Sequence, residues 1–534
     1  MERQRDCRLR DQLQRRINHF SICSVILFVT ACGGGGGGGS PAINVTPPIT
    51  PVTQTDFEQG IFSSSALHKD QCAVPRTGNF PDTQGSTEAE NDWLRAWSNE
   101  LYLWYDEIVD VDPALSTTPD YFDLQQTFAT TPSGADKDQF HFTFDTEAWI
   151  ALSQSGIAAG YGADFALLAA SPPRNIVVAF VEPGSPAAVA GVELTRGTRI
   201  LEIDGVDAIN GTTQSDVDVL NAGLFPTMAG ESHSFLVEDV NGQNQRTVSI
   251  TSAEITQDPA PINSIISTAN GDVGYLLFNS HIATAEERLV DTIDVFATAG
   301  ITELVLDLRY NGGGFLDIAN ELAFMIAGPS AAAGRVFDET QFNDKHTTTN
   351  PVTGAALAPD TFHQVTQGFS LAAGDPLPSL NLSRVFVLAG AGTCSASEAI
   401  INGLRGIGVE VVMIGGTTCG KPYGFYATDN CGTTYFSIQF RGVNAVGFGD
   451  YADGFVPDET PVQEYEVQGC VVADDYNNAL GDSSEARLSA ALGYISTGLC
   501  PTVVTSSALA LKSPTLNSDG PAIQPHNKMP GSVR

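Results

Sequence analysis

Along residues 260–499, short continuous apolar runs alternate with amphipathic stretches, and this alternation most constrains the fold. Residues 273–278, 303–309, 385–389 and 409–414 read as strands, and residues 285–299, 315–327 and 397–404 as helices between them. Strands that are apolar on both faces belong to sheets covered by helices on both sides, which are largely parallel. The expected class is multidomain α+β: an N-terminal helical segment, a β-rich module, and this α/β unit. Sites on such sheets lie at the carboxyl ends of strands, so the strand-to-helix turns are where chemistry is sought.

The rest of the chain divides by texture. Arg3, Arg5, Arg8, Arg10, Arg15 and Arg16 precede an apolar run over residues 20–31 that is too short to span a bilayer as a helix. Residues 1–31 resemble a bacterial lipoprotein signal, with Cys32 as the lipidated first mature residue. Residues 32–55, opening on seven glycines, form a tether. Residues 56–155 are expected to be helical, with Trp93, Trp97, Leu101 and Trp104 on one face as core. Residues 156–255 punctuate short strands with Gly and Pro. Residues 256–500 are the α/β unit, and residues 501–534 a polar tail expected to be disordered.

The formal charge of −36 makes nucleic acid an unsuitable partner, since such a surface repels phosphate. Outside the signal and Cys32, six cysteines remain: Cys72, Cys394, Cys419, Cys431, Cys470 and Cys500. Their even number in an exported chain favours disulfides. A Cys419–Cys431 bridge is expected, with Cys394 able to compete for Cys419. No zinc spacing is present, and neither metal nor cofactor is expected.

Within 156–255, the segment VEPGSPAAVAGVELTRGTRILEIDGVDA resembles a PDZ domain: strand, Pro-Gly-Ser-Pro-Ala turn, a short helix over 187–190, then a strand ending at Asp204-Gly205. The resemblance places Gly160, Tyr161, Gly162, Ala163, Asp164 and Phe165 in a carboxylate-binding loop for peptide C-termini.

Two strand-to-helix turns concentrate special residues: Asp307-Leu-Arg-Tyr-Asn-Gly-Gly-Gly314 and Gly392-Thr-Cys-Ser-Ala-Ser-Glu398. Alone, Ser395-x-x-Glu398 is a helix capping box, and the glycine run is a tight turn lacking the Lys-Ser/Thr of a phosphate loop. A third segment, Thr418-Cys-Gly-Lys-Pro-Tyr-Gly-Phe425, changes the reading. In order and spacing, LVLDLRYNGGGFLDIANELA, GTCSASEAIINGLR and GGTTCGKPYGF, with YADGFVPDETP beyond them, resemble the C-terminal processing (tail-specific) protease family of Ser/Lys serine peptidases.

The resemblance implies Ser395 as nucleophile and Lys421 as general base. A serine hydroxyl needs a neighbouring base, and a lysine serves only when burial lowers its pKa. It also implies an oxyanion hole from the Ala396 N–H and a glycine of the turn, Gly313, with Gly312 its nearest rival.

Two departures stand out. The Ser395-to-Lys421 spacing is one residue longer than is usual in the family, which a loop around residues 406–408 can absorb. Phe425 stands where the family commonly has a Gln that orients the lysine, leaving Tyr423, Thr417 or Glu398 for that task. His281 and His141 are the other bases considered, His281 being expected as a solvated loop residue. Asp307 and Arg309 are expected to form a structural ion pair.

The function implied is a lipid-anchored envelope endopeptidase acting on polypeptide C-termini or unfolded segments. The alternative is a catalytically impaired peptide-binding scaffold of the same fold. A small-molecule esterase is disfavoured by the lack of a Gly-x-Ser-x-Gly elbow.

Overall fold

A computed structural model describes residues 57–501. Cys32, the signal and tether segments, and the tail beyond residue 501 lie outside the described residues. The elements used below are, in chain order, α1 (Thr87–Leu101), β1 (Phe142–Asp145), α2 (Thr146–Ser155), β2 (Ile157–Gly160), β3 (Ala163–Ala169), β4 (Asn175–Val181), β5 (Arg199–Ile203), α3 (Gln214–Leu224), β6 (Ser232–Asp239), β7 (Gln243–Thr251) and β8 (Ala253–Thr256). The α/β unit adds β9 (Ile262–Thr268), β10 (Gly271–Leu277), α4 (Ala285–Ala299), β11 (Glu303–Asp307), α5 (Leu316–Ala327), β12 (Val336–Phe342), β13 (Arg384–Ala389), α6 (Ala396–Gly406) and β14 (Glu410–Gly415). It closes with β15 (Thr428–Asn430), β16 (Thr433–Phe436), β17 (Phe440–Val443), β18 (Val456–Asp458), β19 (Glu466–Val471) and α7 (Ala486–Thr497).

The α/β unit is built on a seven-stranded sheet in the order β9-β10-β11-β13-β14-β19-β18. Only the β9–β10 pair is antiparallel. Successive side chains of a strand point to opposite faces, and both faces here are apolar. Leu276, Leu304, Leu306, Val385 and Val387 pack with α4, α5 and α6, whereas Tyr275, Leu277, Val305, Phe386 and Leu388 pack with α7. That two-sided burial is why the strands read as continuous apolar runs. Gly300, in the left-handed region at φ 69°, ends α4 and returns the chain to β11.

The β-rich module is a six-stranded sheet in the order β7-β6-β5-β4-β3, with Val206–Asp207 paired to β5. Its α3 starts on a capping box, in which Thr213 and Asp216 exchange bonds of 3.1 and 2.9 Å. Residues 187–190, expected as a helix, are turns; the surrounding Pro and Gly leave too few consecutive residues to close helical bonds.

The N-terminal segment differs from the expected helical domain. Trp93 and Trp97 do stack on α1, 5.1 Å apart, against Tyr435. Helix α1 ends at Leu101, however, so Trp104 leaves that face and meets Tyr423 edge-on at 4.9 Å. Strand β1 pairs antiparallel with β16, placing the N-terminal segment in one sheet with the α/β unit.

Candidate active site

Strand β13 ends at Ala389, and the turn that follows delivers Ser395 to the start of α6. Ser395 is 1% exposed and holds φ 61°, ψ −112°, a region that costs a non-glycine residue about 1–3 kcal/mol. Its neighbours enforce this conformation. The Ser395 N–H donates to Glu398 Oε2 at 2.8 Å, the Cys394 N–H to Asn311 O at 3.0 Å, and the Cys419 N–H to Thr393 O at 3.1 Å. The Ala396 N–H is the first helical donor and has no intrahelical acceptor.

The turn after β14 carries Lys421. Gly420 (φ 84°) must be glycine, since a Cβ there would lie 2.2 Å from Ala452 O. The fully buried Glu398 carboxylate accepts from the N–H groups of Gly420 (2.9 Å) and Lys421 (2.8 Å) and from Thr418 Oγ1 (2.5 Å). One carboxylate therefore ties the serine turn to the lysine turn. Burial pushes its pKa up, and these hydrogen bonds oppose the rise.

Lys421 is 2% exposed, with Nζ 4.1 Å from the ring centroid of Phe425 and 4.7 Å from that of Phe140. Burial brings its pKa down to about 7, against the opposing charges of Asp138 and Glu398. Ser395 and Lys421 line one pocket with Leu316, Ala399, Tyr423 and Phe440. Of the three residues considered for orienting the lysine, Glu398 holds its backbone, Tyr423 lines the pocket, and Thr417 is exposed.

The glycine turn after β11 lies alongside. A Cβ on Gly313 (φ 104°) would stand 3.2 Å from Ala396 N and 3.0 Å from Ser395 Cβ, so only glycine allows the approach. The Gly313 N–H donates to Asn311 Oδ1 at 3.0 Å. The same Oδ1 lies 2.9 Å from His281 Nδ1, and Asn311 Nδ2 donates to Phe278 O at 2.9 Å.

His281 is fully buried rather than solvated, because its backbone bridges this turn: its N–H donates to Gly313 O and its O accepts from Phe315 N–H. Burial pushes its pKa down to about 3, and its Nε2 makes no hydrogen bond. His141 is buried against Phe122, its ring stacked at 3.8 Å and its Nε2 2.8 Å from Phe122 O. Asp307 and Arg309 form the expected buried pair at 2.9 Å, extended by Glu485 and Asp474.

In the loop resembling a peptide site, Gly160 ends β2 and residues 163–165 begin β3, an edge strand of the module sheet. Tyr161 turns into the core, its hydroxyl donating to Gly223 O at 2.9 Å. The Cys419–Cys431 bridge does not form. Cys394 pairs with Cys419, because the serine and lysine turns are already held together, and Cys431 pairs with Cys72 of the N-terminal segment. Cys470 and Cys500 form the third bridge. Sequence reasoning missed Asp138 and Phe140, which no local pattern connects to a lysine so far downstream.

A family model described as Peptidase family S41 matches residues 272–424, a span holding the glycine turn, Ser395 and Lys421. Over 241 residues the chain is 27% identical to a carboxyl-terminal-processing protease of Picosynechococcus sp. (strain ATCC 27264 / PCC 7002 / PR-6), covering 45% of this chain and 49% of that one. Over 167 residues it is 28% identical to a chloroplastic C-terminal processing peptidase of Tetradesmus obliquus, covering 29% and 34%. The chain thus spans half or less of the curated relatives it matches. A crystal structure of an S41-type protein from Bacteroides fragilis NCTC 9343 covers 79% of this chain and 100% of its own, with TM-score 0.53 and 24% identity, a likeness of fold.

Proposed function

Because this chain belongs to the C-terminal processing protease family, we propose that it is a serine endopeptidase in which Lys421 activates Ser395. The observation that carries the reading is the buried, near-neutral Lys421 sharing a pocket with a serine held at positive φ. Neutral Nζ takes the Oγ proton as Oγ attacks the peptide carbonyl carbon and the carbonyl π pair moves to oxygen. The Ala396 N–H at the helix start, with a donor from the glycine turn, receives that oxyanion. For Gly313 to be the donor, its N–H must leave Asn311 Oδ1; Gly312 is the rival. The Lys421 ammonium then protonates the leaving amine as the C–N bond breaks, and water hydrolyses the ester by the same route.

The β-rich module is the PDZ-like part of this proposal. Its open β3 edge, opening on residues 163–165, suits strand addition by a polypeptide C-terminus. Attachment to the cell envelope through a lipid on Cys32 completes the reading, and the intact mass of membrane-extracted protein checks it. The decisive experiment is cleavage of an unfolded protein. Wild type should cleave, with kcat/KM rising with pH through about 7 as Lys421 loses its proton. Ser395→Ala and Lys421→Ala should not cleave. Full activity in Lys421→Ala would defeat the mechanism, and an unreactive Ser395 toward a fluorophosphonate in wild type would favour the scaffold reading.

A further inference from the structure

The α/β unit does not close the base site alone. Phe140, from the N-terminal segment, holds its ring 4.7 Å from Lys421 Nζ, as Phe425 holds its own at 4.1 Å. Phe140 is fixed from both sides. Before it, buried Asp138 accepts from the Phe140 N–H at 2.9 Å through Oδ1 and from the Tyr102 hydroxyl at 2.7 Å through Oδ2. After it, His141 is stacked on Phe122, and the chain enters β1, which is paired to β16.

A base in this position must meet two opposed demands. It must rest as a neutral amine, which burial among apolar groups favours, yet briefly hold a proton, which the same burial opposes. An aromatic face meets both: it excludes water without offering the amine a hydrogen bond, and its quadrupole attracts the ammonium once formed. A carboxylate nearby acts in the second sense only.

We infer that Asp138 and Phe140 are positioning residues for Lys421, forming with Phe425 an aromatic and carboxylate cage that orients Nζ and stabilises its protonated state. This rests on the Ser/Lys reading above. It makes the N-terminal segment part of the catalytic apparatus and gives Phe425 a role as one wall of the cage. The charged groups acting on Lys421 are Asp138 from the N-terminal segment and Glu398 from α6, while Asp338 from β12, Tyr423 from the lysine's own turn and Tyr451 line the same pocket. Among these, Asp138 is a carboxylate that can be neutralised without cutting the bonds between the serine and lysine turns.

The test is the pH dependence of kcat/KM for full-length wild type, Asp138→Asn, Phe140→Leu, Phe140→Ala and Lys421→Ala, with thermal melts and fluorophosphonate labelling of Ser395 alongside. Asp138→Asn should move the alkaline-rising limb to lower pH, since a charge favouring the ammonium is gone. Phe140→Ala should move it to higher pH by admitting water. Phe140→Leu keeps the site dry but lacks the π face, and should lower kcat by about two- to thirtyfold. A purely structural role would not move the limb in opposite directions. If Asp138→Asn and Phe140→Leu melt like wild type and keep its pH profile and kcat while Lys421→Ala is inactive, the cage is wrong and the Ser/Lys mechanism stands. Activity in Lys421→Ala would remove both. Should Phe140→Ala fail to fold, Asp138→Asn and Phe140→Leu decide.

Discussion

Glu398 shows how one side chain can hold a site that it does not perform. Its two oxygens collect the N–H groups of Ser395, Gly420 and Lys421 and the Thr418 hydroxyl, so the serine turn and the lysine turn share a single anchor. In Glu398→Ala those four donors would be buried without acceptors, each costing about 1–3 kcal/mol where water cannot replace the oxygen. Partial relaxation leaves an expected destabilisation of about 3 kcal/mol or more. Glu398→Gln keeps the volume but turns an amide NH2 toward N–H groups, so it should recover little. Urea unfolding with Ser395 labelling checks both. Wild-type stability together with wild-type labelling in Glu398→Ala would show that the turns hold themselves.

Helices α4 and α5 are joined by a carboxyl pair that makes the fold sensitive to pH. Glu286 accepts four N–H groups of the loop over residues 367–371, at 2.7–2.9 Å, and Glu321 accepts one of them. Burial, then the charge of Glu286, pushes the Glu321 pKa up to about 9, whereas the N–H bonds hold Glu286 below its ordinary range against its burial. At neutral pH the pair carries one proton. A folded-state pKa raised above the unfolded value, about 4.3, gives stability that is complete below that value and is lost as pH rises through the folded pKa. Wild-type melting temperature should therefore fall between about pH 5 and 9 more steeply than that of Glu321→Gln, which has no proton to lose. Parallel curves would refute the shared proton. The loop matters to the site because its Phe369 packs 4.9 Å from Phe315, at the mouth of the glycine turn. At this scale, α4 was legible to the residue, and β10, β11, β13, β14, α5 and α6 nearly so, because two-sided burial writes continuous apolar runs, whereas the sheet's outer strands β9, β18 and β19 were not read. Strand β1 was not, since Phe142–Asp145 is short and its partner β16 lies far along the chain. Ser395, Lys421 and Glu398 were legible from motif order, whereas Asp138 and Phe140 reach the lysine only through tertiary packing.

Across the whole molecule, both flanking parts are tied to the α/β unit, the β-rich module beside the glycine turn and the N-terminal segment at the turn between β15 and β16. From the β-rich module, Arg196 reaches Asp474 at 2.7 Å and the hydroxyl of Tyr310, next to the glycine turn, at 2.6 Å. From the N-terminal segment, Asp70 N–H donates to Asn430 Oδ1 at 2.9 Å, Arg76 pairs with Asp429 at 3.0 Å, and Cys72 is bonded to Cys431. Those contacts grip the turn between β15 and β16, and β16 in turn carries β1 and the approach to Phe140. The bridge spans 359 residues, so its loss frees much of the unfolded chain. Cys72→Ser with Cys431→Ser should lower stability by about 2–5 kcal/mol, leaving the other two bridges in place. If the N-terminal segment completes the base site, the same variant should also raise the pH at which kcat/KM climbs, because a loosened Phe140 lets water reach Lys421 and restores part of its ordinary basicity. Differential scanning calorimetry and a pH–rate series on one preparation separate the two effects. A lower melting temperature with an unmoved limb would make the bridge a staple of the fold alone, and a moved limb would connect the Cys72–Cys431 disulfide to the protonation of Lys421.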